Sequence, residues 1–86
     1  MTNAIITTEE ATELRTLARA GYIEANMKPN GHIYVRPSIR ALVATGHISI
    51  TPVFGSKILL TVSPKGAEAE AAYTAQAMTE IAALFA

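Results

Sequence analysis

The chain contains no cysteine among its 86 residues, and this absence limits the kinds of fold open to it. A domain of this size buries only roughly 60–65% of the surface that its unfolded chain exposes, so its stability is marginal. Without cysteine there is no disulfide or thiolate zinc site to add stability, and a cysteine nucleophile is excluded as well. We therefore expect residues 1–86 to form one domain that rests on side-chain packing.

The apolar residues of the chain are mostly small. Half of the residues are hydrophobic, but only 6% are aromatic and none is tryptophan, so alanine supplies much of the apolar fraction and favours helices more than it fills a core. No apolar run approaches the ~18–20 residues that cross a bilayer, and the N-terminus lacks the features of a signal peptide. We expect a soluble cytoplasmic protein with no membrane contact.

Charge is unevenly distributed along this chain, although its net charge is zero. Residues 25–67 contain no Asp or Glu, and all acidic residues lie in the two flanking segments. A basic segment between two acidic ones can form a phosphate-binding face on a neutral protein. The cations of this segment are Lys28, Arg36, Arg40, Lys57 and Lys65.

Two helices are indicated in the first half of the chain by their end signals. The spacing from Thr7 to Glu10 fits a capping box, in which each side chain accepts a hydrogen bond from the other residue's backbone N–H. This first helix should end at Gly21, a residue suited to a left-handed cap. The second helix should begin at Pro37, whose missing N–H costs nothing in the first turn, and end at Gly46.

The remaining elements are strands and a final helix. Residues 32–36 are β-prone and end at a proline, so they predict a short strand, and residues 47–62 predict a hairpin with a tight turn. Ser63 is suited to cap a last helix that runs nearly to the C-terminus. Residues 22–31 carry weak signals, consistent with either a short helix or an irregular crossing.

Two motifs resemble those of the winged helix-turn-helix proteins. Residues 42–48 (LVATGHI) are similar to the family's exit from its recognition helix, which runs from leucine through polar residues to glycine and a hydrophobic residue. Residues 60–66 (LTVSPKG) resemble the Leu-Thr-Pro-Lys-Gly that follows the wing in multiple-antibiotic-resistance-type regulators. The resemblance covers residues 36–72 and leaves the family's second helix degenerate.

The resemblance implies an α+β winged helix-turn-helix with three helices and a two- to three-stranded antiparallel sheet. Residues 37–45 would be the recognition helix in the major groove, and residues 51–58 a short wing on the backbone or minor groove. The implied function is that of a sequence-specific transcriptional regulator that binds double-stranded DNA. The expected DNA contacts are Arg36, Ser38 and Arg40 on the helix, Lys57 at the wing tip, and Lys28 and Lys65.

The final helix carries an apolar stripe longer than a small three-helix core needs. Within residues 67–86 this stripe predicts packing or dimerisation against a second copy of the chain. A homodimer would also double the number of phosphate contacts. The expected dimer contacts are Tyr73, Ala77, Met78, Ile81, Leu84 and Phe85.

The basic segment also permits functions other than DNA binding. The cations are equally consistent with an ordinary solvated surface, and winged helices also bind proteins. In this alternative interpretation the chain is a small viral or mobile-element product that uses a winged-helix fold to bind or inhibit a host protein and does not bind DNA. No nucleophile, base and orienting group can be assembled into a catalytic site, so we expect no enzyme and no cofactor. His32 and His47 have no ligand partner at metal spacing, so we expect no metal site.

Overall fold

The computed structural model describes residues 6–85, which form one three-stranded sheet and three helices. The sheet is antiparallel, with β3 between β1 and β2. This arrangement confirms the predicted α+β class and is compatible with a winged helix. The elements in chain order are α1 (Thr8–Ala20), β1 (Ile23–Asn26), α2 (Pro37–Ala44), β2 (Ile48–Phe54), β3 (Lys57–Val62) and α3 (Pro64–Leu84).

Both ends of α1 follow the sequence signals. The Thr7 hydroxyl accepts a hydrogen bond from the Glu10 backbone N–H at 3.1 Å, and the Thr7 N–H donates to the Glu10 carboxylate at 2.8 Å. Gly21 has a φ of 87° and its N–H donates to the Leu17 carbonyl. The predicted capping box and glycine cap are therefore confirmed, and they fix where the chain turns into the sheet.

The segment between α1 and α2 differs from the prediction. Residues 23–26 form β1, which pairs with β3 on the side opposite β2. The pairing runs from Ile23 opposite Leu60 to Asn26 opposite Lys57. The predicted strand at residues 32–36 is wrong, since only an isolated bridge between Ile33 and Met27 forms there. Backbone hydrogen bonds within residues 28–32 turn the chain back on itself. No helix lies between α1 and α2 in the described part of the chain.

The core lies where α1, α2 and the sheet meet. Its three fully buried large side chains are Leu14 of α1, Leu42 of α2 and Leu60 of β3. The predicted hairpin packs one face on this core, because Ile48 and Ile58 are buried too. Burial of each such side chain contributes about 1.5–3 kcal/mol, so α2 is held to the sheet by packing along its inner face.

The start of α3 is fastened to the end of α2 by side-chain hydrogen bonds. The Ser63 hydroxyl donates to the Gly46 carbonyl at 2.6 Å and accepts from the Gly66 N–H at 3.1 Å. The Lys65 ammonium donates to the Thr45 carbonyl at 2.7 Å. These contacts satisfy carbonyls that the end of α2 leaves unpaired. The motif after β3 therefore sets the orientation of α2.

The first half of α3 packs on α1, and the second half extends away from the domain. Arg15 of α1 forms an ion pair with Glu70 at 3.0 Å, and the Thr8 hydroxyl hydrogen-bonds to that of Tyr73. A helix of 21 residues is about 32 Å long, and the molecule measures 54 Å along its longest axis against 21 and 19 Å along the others. Within the described residues, no helix has the length and hydropathy that crossing a bilayer requires.

Candidate nucleic-acid interface

Folding brings carboxylates to two of the five cations in the basic segment. Arg36, at the start of α2, pairs with Glu13 of α1 at 2.8 Å, and Lys57 pairs with Glu24 of β1 at 3.5 Å. The charge separation seen along the sequence is therefore partly neutralised in space. The Lys57–Glu24 pair is exposed on both sides, and exposed ion pairs contribute about 0–1 kcal/mol, so Lys57 can exchange its carboxylate for a phosphate at small cost. The Glu13 side chain is only 13% exposed, so Arg36 would leave a largely buried carboxylate unpaired and exchanges at a higher cost.

Lys65 and Lys28 lie in different surroundings. The Lys65 ammonium is hydrogen-bonded to the end of α2, where a cation also suits the helix dipole. Its position indicates a structural role at the end of α2, which the expected DNA contact did not include. The Lys28 ammonium lies over the Tyr34 ring, 5.1 Å from the ring centroid, and makes no ion pair among residues 6–85.

Arg40 lies on the exposed side of α2 and forms no ion pair with any described residue. One guanidinium nitrogen donates to the Val35 carbonyl at 3.2 Å, which leaves other donors of the fork available. Ala41 and Ala44 beside it are also exposed. Ser38, predicted as a phosphate contact, is half-buried in the first turn. This face of α2 thus combines one long cation with small side chains that permit close approach.

The turned segment at residues 27–33, here called the 27–33 loop, lies between α2 and the β2–β3 hairpin. On one side, a groove of about 490 Å³ separates residues 30–33 from Arg40, Val43 and Ala44. On the other side, a groove of about 400 Å³ separates residues 27–29 from the hairpin. The loop therefore brings His32 to the groove beside the exposed face of α2 and Lys28 to the groove beside the hairpin.

The hairpin tip is apolar, which sequence reasoning missed. β2 continues to Phe54, and the chain turns at Gly55 with a φ of 58°. The side chain of Phe54 is 85% exposed and that of Val53 is 53% exposed. Extending the predicted strand to the glycine would have revealed both residues. The predicted wing thus has two exposed apolar side chains, Val53 and Phe54, at the turn that precedes its one cation, Lys57.

The two histidines differ in burial. His32 is exposed on the 27–33 loop, whereas His47 is buried after α2. The His47 ring shares a hydrogen bond with the Thr45 hydroxyl through Nδ1, and its Nε2 atom has no partner. No group of three or more side chains that suits a metal ion is present in residues 6–85.

Comparison with known proteins finds no match to the chain: no family model, no curated protein and no solved structure is significantly similar to it. The winged helix-turn-helix resemblance therefore stays a prediction from the motifs at residues 42–48 and 60–66.

Proposed function

We propose that the protein is a sequence-specific transcriptional regulator that binds double-stranded DNA through α2 and the β2–β3 hairpin. The observation that carries this proposal is the exposed face of α2, where Arg40 is free of carboxylates among the described residues and stands between small side chains. An arginine in the major groove can donate two hydrogen bonds to a guanine edge, which is worth ~1–3 kcal/mol of discrimination.

The first turn of α2 supports the same orientation toward DNA. It contains no acidic residue, and no side chain caps its backbone N–H groups. Arg36 and Ser38 lie at this end, where the helix dipole favours an anion. In our proposal these residues hold phosphates and so orient Arg40 toward the bases, because phosphate contacts position a protein while base contacts specify the sequence.

The number of available cations limits the affinity of one subunit. With Lys65 committed to the end of α2, the candidate phosphate contacts are Arg36, Ser38, Lys57 and Lys28. Ser38 carries no charge, so the three cations predict a slope of about −2.7 in log affinity against log salt concentration. A single subunit would then bind weakly at physiological salt, and we propose a homodimer that binds two half-sites.

The apolar end of α3 supports that dimer. The exposed large side chains on its last two turns are Met78, Ile81 and Leu84, followed by Phe85. Tyr73 and Ala77 are half-buried, and the Tyr73 hydroxyl already contacts α1, so they contribute less free surface. We propose that the stripe pairs with its copy in a second subunit, which would remove these side chains from water.

The dimer is tested by charge substitution on the stripe. Ile81→Glu combined with Leu84→Glu should convert the dimer to a monomer in light scattering, because two carboxylates cannot be buried without partners. Thr79→Glu with Ala83→Glu is the matched control, since it adds the same charge at exposed positions away from the stripe. A wild-type mass equal to that of one chain would contradict the proposed dimer.

DNA binding is tested by selecting duplexes from a random pool and measuring affinity by fluorescence anisotropy. The wild type should enrich a motif, and Arg40→Ala should bind the selected duplex about tenfold or more weakly. Arg19→Ala is the control, because Arg19 is an exposed cation in the last turn of α1, outside the basic segment. No binding by the wild type even at low salt would refute the regulator proposal.

A second candidate function is favoured by the hairpin tip. Exposed aromatic and aliphatic side chains are typical anchors of protein interfaces, and Phe54 and Val53 form such a pair. In this alternative the protein binds or inhibits another protein and does not bind DNA, as a small viral or mobile-element product would. The same anisotropy measurement separates the two candidates.

A further inference from the structure

The 27–33 loop occupies the place of a missing helix. In helix-turn-helix proteins the helix before the recognition helix crosses the DNA backbone, but in residues 6–85 no helix lies between α1 and α2. The loop is closed internally instead. The Lys28 N–H donates to the His32 carbonyl at 2.7 Å, and the His32 N–H donates to the Asn30 side-chain oxygen at 3.0 Å.

Both ends of the loop are attached to the sheet. The Met27 N–H donates to the Ser56 carbonyl at 2.8 Å, and the Tyr34 N–H donates to the Asn26 carbonyl at 3.0 Å. Ile33 is buried and belongs to the core. The backbone of the loop is therefore held in one conformation before any ligand binds, which lowers the entropy cost of binding.

Three side chains on and beside this loop contact one another at the surface. The Tyr34 ring lies under the Lys28 ammonium and makes an edge-on contact with the His32 ring, with 5.7 Å between the centroids. Tyr34 is 56% exposed, so the cluster faces solvent. An aromatic ring attracts the ammonium without neutralising it. Within residues 6–85 the Lys28 ammonium has no carboxylate beside it, unlike the Arg36 and Lys57 side chains, which are paired with carboxylates.

We infer that the 27–33 loop is a phosphate clamp beside the base-reading helix, with Tyr34 as the residue that positions the Lys28 ammonium on the DNA backbone. His32 and Arg40 line a common groove between the loop and α2, so the clamp lies beside the arginine that we propose reads the bases. This inference rests on the proposed DNA binding. In this proposal the 27–33 loop makes the contacts to the DNA backbone that a helix makes in helix-turn-helix proteins.

The clamp is tested by the salt dependence of affinity for the selected duplex. Lys28→Ala should make the slope of log affinity against log salt shallower by about 0.9, the value for one lost phosphate contact. Arg19→Ala should leave the slope at its wild-type value. Thermal unfolding followed by circular dichroism checks that each variant is folded. Wild-type binding with an unchanged slope in Lys28→Ala would overturn the clamp and leave the proposed function standing.

The positioning role of Tyr34 is tested by a double-mutant cycle with Lys28. Tyr34→Leu should weaken binding about threefold when Lys28 is present and have no effect in the Lys28→Ala background. Tyr34→Phe keeps the ring and should retain wild-type affinity. Equal losses from Tyr34→Leu in both backgrounds would show that Tyr34 supports the fold only and would overturn its assignment. If the wild type binds no DNA, the clamp and the proposed function both fail.

Discussion

The two ends of the sheet are built in contrasting ways. At one end, where β3 leads into α3, residues 63–66 close on the end of α2 through buried hydrogen bonds. At the other end, the hairpin tip and the 27–33 loop expose Phe54 and Tyr34 to solvent. Groups that are already paired inside a protein have no capacity for a ligand, whereas exposed groups do.

One end of the sheet, at residues 63–66, therefore contributes to stability, and the other end, at the hairpin tip and the 27–33 loop, is available for recognition. We call them the closed end and the open end. The closed end sets the orientation of α2 relative to the sheet, and the open end supplies surface next to the exposed face of that helix. Substitutions at the closed end should therefore lower the free energy of unfolding more than substitutions at the open end.

The largest effect is expected from Gly66→Ala. A β-carbon at Gly66 would lie 2.0 Å from the carbonyl oxygen of His47 and 3.1 Å from a methyl group of Val62. Because the nearest obstacle is backbone, α3 and the end of α2 must move apart. We expect a loss of about 3 kcal/mol in the free energy of unfolding, measured by urea denaturation.

The matched control is Gly55→Ala at the open end. A β-carbon there meets no atom within 4 Å, although its φ of 58° is left-handed. The cost should be about 1 kcal/mol, since only backbone conformation is strained. Equal losses at the two glycines would show that the two ends of the sheet are not different in packing.

A smaller effect is expected from Ser63→Ala. The Ser63 hydroxyl is the N-cap of α3 and also donates to the Gly46 carbonyl. Its removal leaves the Gly66 N–H and the Gly46 carbonyl without this partner. The free energy of unfolding should fall by about 1–2 kcal/mol. Thr7→Ala is the comparison at the exposed cap of α1, where the hydroxyl makes no such second bond to any residue between 6 and 85. A greater loss at Thr7 than at Ser63 would contradict the view that the closed end carries the stability.

The elements that sequence predicted correctly have local causes. The capping box of Thr7 and Glu10, the start of α2 at Pro37 and the turn at Gly55 each depend on residues a few positions apart. β1 could not be predicted with the same ease, because its conformation depends on pairing with β3, more than thirty residues further along the chain. Local propensity for strand or helix is weak in residues 23–26, so their pairing with β3 determines that they form a strand.

The candidate site could be predicted in part for the same reason. The location of Arg40 on an exposed helix face follows from helical periodicity. The partners of Arg36 and Lys57 do not, because Glu13 and Glu24 approach only when α1 and β1 pack beside α2 and β3. Charge separation along a sequence thus overestimates the free charge on the folded surface.

The smallest effect on stability is expected from Phe54→Ser at the hairpin tip. Phe54 is the most exposed large hydrophobic residue of the open end at 85%, so its removal leaves no cavity, and the free energy of unfolding should change by less than about 0.5 kcal/mol. Urea denaturation measures this, with Ile58→Ser on the buried face of the same hairpin as the control that should lose several times more. If Phe54→Ser destabilises the domain as strongly as Ile58→Ser, the tip is packed in solution and the open end is not a free surface. If it does not, any binding that the variant loses can be assigned to the missing ring, because the fold beneath it is unchanged.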